Sequence, residues 1–204
     1  MSSFSRLSGD SADDSGYFIS LAKLKIIFSN VDMTDTLAHA ATEGNLAVKL
    51  VTFGETSGYE NFSKVISDQE TDAVNQFRCR PIASPDEIGM IVCSSGTTGL
   101  CKGTMLSHFT LINNMLHDDS FAGKDDKMAS AAIYYGMARL KVIAVDTGRP
   151  LDPYKIGELL WKSPCMMTGY YNNPRATRQT LNEDRWIHSG DLGYYDSDGE
   201  ALRV

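Results

Sequence analysis

Cysteine is scarce in this chain: Cys79, Cys93, Cys101 and Cys165 are the four among 204 residues, and no two form a C-x-x-C pair. Their spacing suits neither a zinc site nor a disulfide framework and reads as free thiols in a reducing compartment. Histidine is as sparse, at positions 39, 108, 117 and 188, and no two stand close in sequence. Basic residues are outnumbered: 19 Lys and Arg against 26 Asp and Glu leave a net charge of -7. A general nucleic-acid binder shows a basic face, so no nucleic-acid partner is expected, and the acidic balance reads as solubility. No window approaches the ~18 apolar residues of a membrane span. The opening string "MSSFSRLSGDSADDSGY" has no apolar core segment for a signal peptide. These absences point to an intracellular, cytoplasmic chain with no transmembrane segment.

What is present divides the chain in two. Residues 1–17 are rich in Ser, Asp and Gly and read as a flexible tail. The apolar run Leu24–Phe28 reads as a buried strand, Thr34–Glu43 as a helix stopped by Gly44-Asn45, and Leu46–Phe53 as a second strand closed by Gly54. Strand, helix and strand in that order suggest a parallel α/β layer. A short helix is expected near Phe62–Ser67, a strand at Ile88–Cys93, and a helix from about Ser107 to His117. The polar string "DDSFAGKDDKMAS", residues 118–130, has no period and reads as a seam. Beyond it, "RLKVIAVD" (139–146) and "IGELLWKS" (156–163) alternate with Gly/Pro turns, so residues 131–204 read as antiparallel β. The fold class is α/β: a parallel layer over 18–117, followed by an antiparallel, barrel-like segment.

The stretch Ser94–His108, "SSGTTGLCKGTMLSH", follows the Ile88–Cys93 strand. Gly96, Gly99 and Gly103 allow backbone N–H groups to approach an anion, because no Cβ intervenes. Ser94, Ser95, Thr97 and Thr98 add hydroxyl donors, and Lys102 adds a mobile positive charge. Such a set suits a polyphosphate. It is not the Walker pattern G-x-x-x-x-G-K-[ST]: counted from Gly96, Cys101 stands where the second glycine belongs, and Gly103 where the magnesium-binding hydroxyl belongs. The alternative reading of this composition alone is a flexible Ser/Thr/Gly surface loop.

The string resembles the phosphate-binding loop of the adenylate-forming superfamily, the acyl-CoA synthetases, 4-coumarate–CoA ligases and luciferases. Their pattern runs Ser-Ser-Gly-Thr-Thr-Gly-Leu-Pro-Lys-Gly and, a few residues on, Ser-His; Cys101 in place of proline is the departure. A second signature agrees. Gly157-Glu158-Leu159, Gly169-Tyr170-Tyr171-Asn172 and Trp186-Ile187-His188-Ser189-Gly190-Asp191 stand in family order and spacing. The resemblance implies an acid–thiol ligase that forms an acyl-adenylate from ATP and a small carboxylic acid, then passes the acyl group to coenzyme A, with Mg2+ assisting. It implies that Ser94, Ser95, Gly96, Thr97, Thr98, Gly99 and Lys102 contact the ATP phosphates and that Asp191 accepts hydrogen bonds from the ribose hydroxyls. His188 and His108 read as packed rings rather than catalysts.

Departures from the family pattern set a second expectation. A sizeable portion precedes residue 18 in the family, a long segment supplying the acyl pocket and a Tyr-Gly-x-Thr-Glu string follows the loop helix, and a C-terminal lid domain carries the adenylation lysine. Here 118–138 stands in place of the long segment, and the sequence ends at "DGEALRV". The string "YYGMARL" (134–140) has Ala138-Arg139 rather than Thr-Glu and reads as a turn against the 139–146 strand rather than a relic of that string. The expectation is a truncated, internally deleted member with impaired activity and no confident catalytic residue or metal ligand. The alternative is a non-catalytic ATP-binding or interaction remnant. A peroxisomal address, frequent in the family, is not written at the last residues.

Overall fold

The computed structural model describes residues 3–5, 12–94, 101–117 and 138–204. These fall into two compact units, one from 12–81 with Cys101, the other from 3–5, 82–94, 102–117 and 138–204.

In the first unit the strand–helix–strand expectation takes the form β2 (Ile26–Asn30), α2 (Val31–Glu43) and β3 (Lys49–Phe53), preceded by α1 (Ala12–Ala22) and followed by β4 (Glu60–Asn61), α3 (Phe62–Ser67) and α4 (Thr71–Gln76). β2 and β3 run parallel, Ile26 opposite Lys49 through Asn30 opposite Phe53, and β4 joins parallel to β3. In β2 period-two alternation decides which side chains are buried, whereas in β3 the consecutive Val51 and Thr52 are both buried. Ile27 faces a core made with Ile19, Leu37, Ala40 and Ala41, while Phe28 and Phe53 on the other face are about half exposed. Their rings stack on each other at 6.1 Å, and each meets Phe62 edge-on. The run Leu24–Phe28 is therefore a strand with one buried face and begins two residues later than expected. Helix α2 begins three residues earlier than Thr34 and stops where expected. The left-handed residue at its end is Asn45 (φ 51°), whereas Gly44 stays right-handed and donates its N–H to Ala40 O. The segment expected as a flexible tail holds the start of α1 and the strand β1 (Ser3–Ser5), which belongs to the second unit.

The second unit contains two four-stranded sheets. In one, β5 (Ile88–Ser94) lies between β1, parallel to it, and β6 (Lys102–Ser107), antiparallel to it, with β9 (Gly169–Tyr170) completing the order β1-β5-β6-β9. In the other, β7 (Arg139–Ile143), β8 (Gly157–Lys162), β10 (Ile187–Tyr195) and β11 (Ala201–Arg203) pair antiparallel in the order β11-β10-β8-β7. Val142, Leu159 and Leu160 are its most buried apolar side chains. Helix α5 (His108–His117) packs on β5 and β6, and α6 (Pro174–Thr180) packs on β9 and β10. The antiparallel half follows the expectation from 139–163. Strand β6 was not expected, since the loop read as running straight into the helix. The seam at 118–130 lies outside the described residues.

Candidate nucleotide site

The strands on either side of the glycine-rich stretch pair with each other. Strands β5 and β6 pair from Ile88 opposite Ser107 up to Cys93 opposite Gly103 and Ser94 opposite Lys102. Ser94 and Lys102 are thus the two feet of the loop, and the Ser94 hydroxyl donates to Lys102 O at 3.3 Å. Ser95, Gly96, Thr97, Thr98 and Gly99 lie outside the described residues. The Lys102 ammonium sits 5.2 Å from the centre of the Tyr170 ring, a cation–π distance. Tyr170 is held there by backbone pairing: Tyr171 N–H donates to Gly103 O at 2.8 Å, and Tyr170 N–H donates to Thr177 Oγ1 at 2.8 Å. Thr177 in turn donates to Asn173 O, so α6 and β9 are tied at the strand that flanks the loop.

At the other foot of β6, Ser107 begins α5. Its buried hydroxyl accepts from Thr110 N–H at 3.1 Å, the geometry of a helix N-cap. The His108 ring lies against Gly89, where a Cβ would come within 3.0 Å of Nδ1. His108 is a packed ring.

Asp191 stands on a bulge in the middle of β10. Across the β8–β10 pair His188 is opposite Leu160 and Leu192 opposite Glu158, so the three residues Ser189, Gly190 and Asp191 face Leu159 alone. Extra residues on one strand leave the ladder and re-aim their side chains. Gly190 takes φ +75°, in the left-handed region, with open space where a Cβ would be. Ser189 donates its hydroxyl to Leu159 O at 2.7 Å and accepts from Asp191 N–H at 3.0 Å. His188 Nδ1 lies 3.0 Å from Glu158 Oε2, and Gly190 N–H donates to Glu158 Oε1 at 3.4 Å. An ionised carboxylate only accepts, so Nδ1 carries the proton in this pair. Trp186, just before β10, is covered by two ammonium groups, Lys141 at 4.4 Å and Lys162 at 5.9 Å from its ring.

Of the expected site residues, Ser94, Lys102 and Asp191 are described, all in the second unit, on two different sheets. Residues that sequence reasoning did not single out are Tyr170 under Lys102 and Glu158 beneath the bulge. Both lie inside strings already noted, yet their partners become visible only once β9 and β8 are paired. A cavity of about 990 Å³ on the antiparallel sheet, lined by Leu140, Lys141, Leu151, Trp161 and Tyr195 among others, contains none of the three. No helix among the described residues is long and apolar enough to cross a membrane.

The fold is that of adenylate-forming enzymes. The chain superposes on the luciferase-like enzyme from the nonluminescent mealworm Zophobas morio with a TM-score of 0.77 at 16% identity, covering 96% of this chain and 75% of that one. It superposes on the anthranilate CoA ligase AuaEII, solved with anthranoyl-AMP, with a TM-score of 0.78 at 13% identity, covering 99% and 62%. At such identities the likeness speaks to fold alone. The family model for AMP-binding enzymes matches residues 8–140, and the chain belongs to that family. Sequence relatives include luciferin 4-monooxygenase of Luciola mingrelica, 45% identical over 74 residues, and 4-coumarate-CoA ligase 1 of Narcissus pseudonarcissus, 40% identical over 78 residues. These segments are 36% and 38% of this chain, and 14% of each relative.

Proposed function

We propose that this chain binds ATP as part of acid–thiol ligase chemistry, with the phosphates at the β5–β6 loop and the ribose at Asp191. In that reaction a small carboxylic acid attacks the α-phosphorus of ATP, pyrophosphate leaves, and the acyl-adenylate then gives its acyl group to a thiol such as coenzyme A. The observation that carries the reading is the β5–β6 hairpin itself. It brings one hydroxyl and one ammonium, Ser94 and Lys102, to the two feet of a loop written Ser-Gly-Thr-Thr-Gly, and a charged donor there offsets the phosphates. Lys102 resting over Tyr170 supports the same role, because a cation held by a ring quadrupole exchanges that contact for a stronger one with phosphate. Asp191, on a bulge, carries a carboxylate, an acceptor group suited to ribose hydroxyls.

Magnesium and coenzyme A enter through the family alone. Among the described residues no group of three or more His, Cys, Asp or Glu side chains could hold a metal ion. The chemistry of this chain's own described residues is accordingly phosphate holding and ribose orientation. A second reading, in which ATP is bound and not turned over, is favoured by one sequence observation: no Thr-Glu pair stands between His117 and Arg139.

Calorimetric titration with ATP tests the proposal. Lys102→Ala is expected to weaken binding by about 1.5–3 kcal/mol, the range for a hydrogen bond to a charged group. Equal affinity in the parent and the variant would remove the loop from the reading. Acid-dependent pyrophosphate release by the parent chain, lost in Lys102→Ala, would reject the non-catalytic alternative.

A further inference from the structure

We infer that Glu158, braced by His188, is a positioning residue: it clamps the bulge and so aims Asp191 at the nucleotide ribose. The nucleotide half of this statement rests on the ribose reading above; the clamp half rests on geometry alone.

The bulge needs a clamp. Three residues of β10 stand over one of β8, so the regular ladder offers Ser189, Gly190 and Asp191 no complete set of partners. Gly190 occupies a conformation that glycine samples freely in an unfolded or loosened strand, so holding it costs backbone entropy. Two tethers hold it. The Ser189 hydroxyl reaches Leu159 O at 2.7 Å and the Asp191 N–H at 3.0 Å, which anchors the segment at both of its outer residues. The Gly190 N–H, at the apex, has Glu158 Oε1.

Glu158 is suited to this by register. It lies opposite Leu192, the residue that resumes the ladder, and it is only 20% exposed at its side chain. A carboxylate with two oxygens can take one donor from the bulge's apex and one from the residue before it: the Gly190 amide on Oε1 at 3.4 Å and the His188 ring on Oε2 at 3.0 Å. His188, the last residue paired before the bulge, thereby fixes the rotamer of Glu158. The ring, 33% exposed, does this by its Nδ1–H. This explains a histidine in the Trp-Ile-His-Ser-Gly-Asp string as the brace of an aspartate three residues on.

The test uses the 204-residue chain. Asp191→Ala, Glu158→Ala, Glu158→Gln, His188→Ala and His188→Asn are titrated with ATP and with 2′,3′-dideoxy-ATP, and amide hydrogen exchange is followed at Gly190. Glu158→Ala is expected to weaken ATP roughly tenfold or more, in the range of one hydrogen bond to a charged group, and to leave the dideoxy nucleotide unchanged. In the Asp191→Ala background it should cost no further affinity, since both act through one contact. Gly190 exchange should rise in Glu158→Ala while exchange at Leu192–Tyr195 stays as in the parent. His188→Asn, whose side-chain N–H falls where Nδ1–H was, should restore what His188→Ala loses, and Glu158→Gln, keeping one acceptor, should fall between. Equal losses for both nucleotides in Glu158→Ala, with Asp191→Ala selective for ATP, would overturn the inference and leave the ribose reading standing. A loss in Asp191→Ala that is equal for both nucleotides would overturn the ribose reading, and the positioning role with it. Unchanged Gly190 exchange in Glu158→Ala overturns the clamp whether or not the parent binds ATP.

Discussion

The two candidate nucleotide contacts are held by opposite devices. Lys102 is the first residue of β6, paired with Ser94 and with a ring, Tyr170, beside it. Asp191 stands within a nine-residue strand and is tethered through its neighbours to β8. A lysine at a strand's first residue can follow phosphates that move during a reaction, because its long side chain is a flexible point charge. A short carboxylate on a bulge has far less reach, so the backbone that carries it decides where it can act. The difference suits a mobile polyphosphate at one end of a nucleotide and a rigid sugar at the other.

The largest test of this contrast removes the platforms. Leu160 on β8 and Ile91 on β5 are 1% and 2% exposed, and each truncation to alanine is expected to cost about 2–5 kcal/mol in urea unfolding. Leu160→Ala should also speed hydrogen exchange at the bulge, and Ile91→Ala should not. Faster bulge exchange in both would mean that the two sheets share one rigidity, and the contrast would fail.

A smaller effect is expected at the apex. Gly190→Ala places a Cβ in a left-handed backbone, at about 1–2 kcal/mol, without any clash to add to it. The melting temperature should fall slightly, and ATP affinity should fall more than dideoxy-ATP affinity. A variant as stable as the parent would show that the bulge relaxes freely, which would undo the rigid half of the comparison.

The smallest effect concerns a thiol near the junction of the two sheets' strands. Burial pushes the Cys165 thiol up from its ordinary value, partly offset by its hydrogen bond with Ser163. A raised value in the fold means that folding favours the neutral form. The stabilisation is therefore complete below the ordinary thiol range and is lost as pH rises through the folded value. Alkylation at mildly alkaline pH should label exposed Cys79 well before buried Cys165. Equal rates would show that the segment after β8 opens readily and leaves the bulge's support strand loose.

The glycine-rich loop and the Trp-to-Asp string stood out in the sequence because each is a run of consecutive residues. The parallel layer was legible for a related reason: the apolar runs ending at Phe28 and Phe53 flank a helical period, and β2 and β3 pair as that order suggests. Strand β6 was not. Its string "KGTMLS" buries only Gly103 and Ser107, so it carries no alternation of apolar and polar residues, and only pairing with β5 on one side and β9 on the other makes it a strand. The exposed half of β2 was equally hidden, because an apolar run does not say which of its faces a helix will cover.

Residue type and spacing therefore gave the α/β order and a loop composition suited to phosphate, and the resemblance carried by two strings pointed to the family and to the candidate aspartate. Only the tertiary structure decided that β5 and β6 pair on either side of the loop, that Lys102 rests on Tyr170, and that Asp191 rides a bulge with Glu158 beneath it. The physical reason is range. A loop's composition acts within a few residues, whereas Glu158 and His188 are thirty apart in sequence and 3.0 Å apart in space, joined by an antiparallel register that no local pattern encodes.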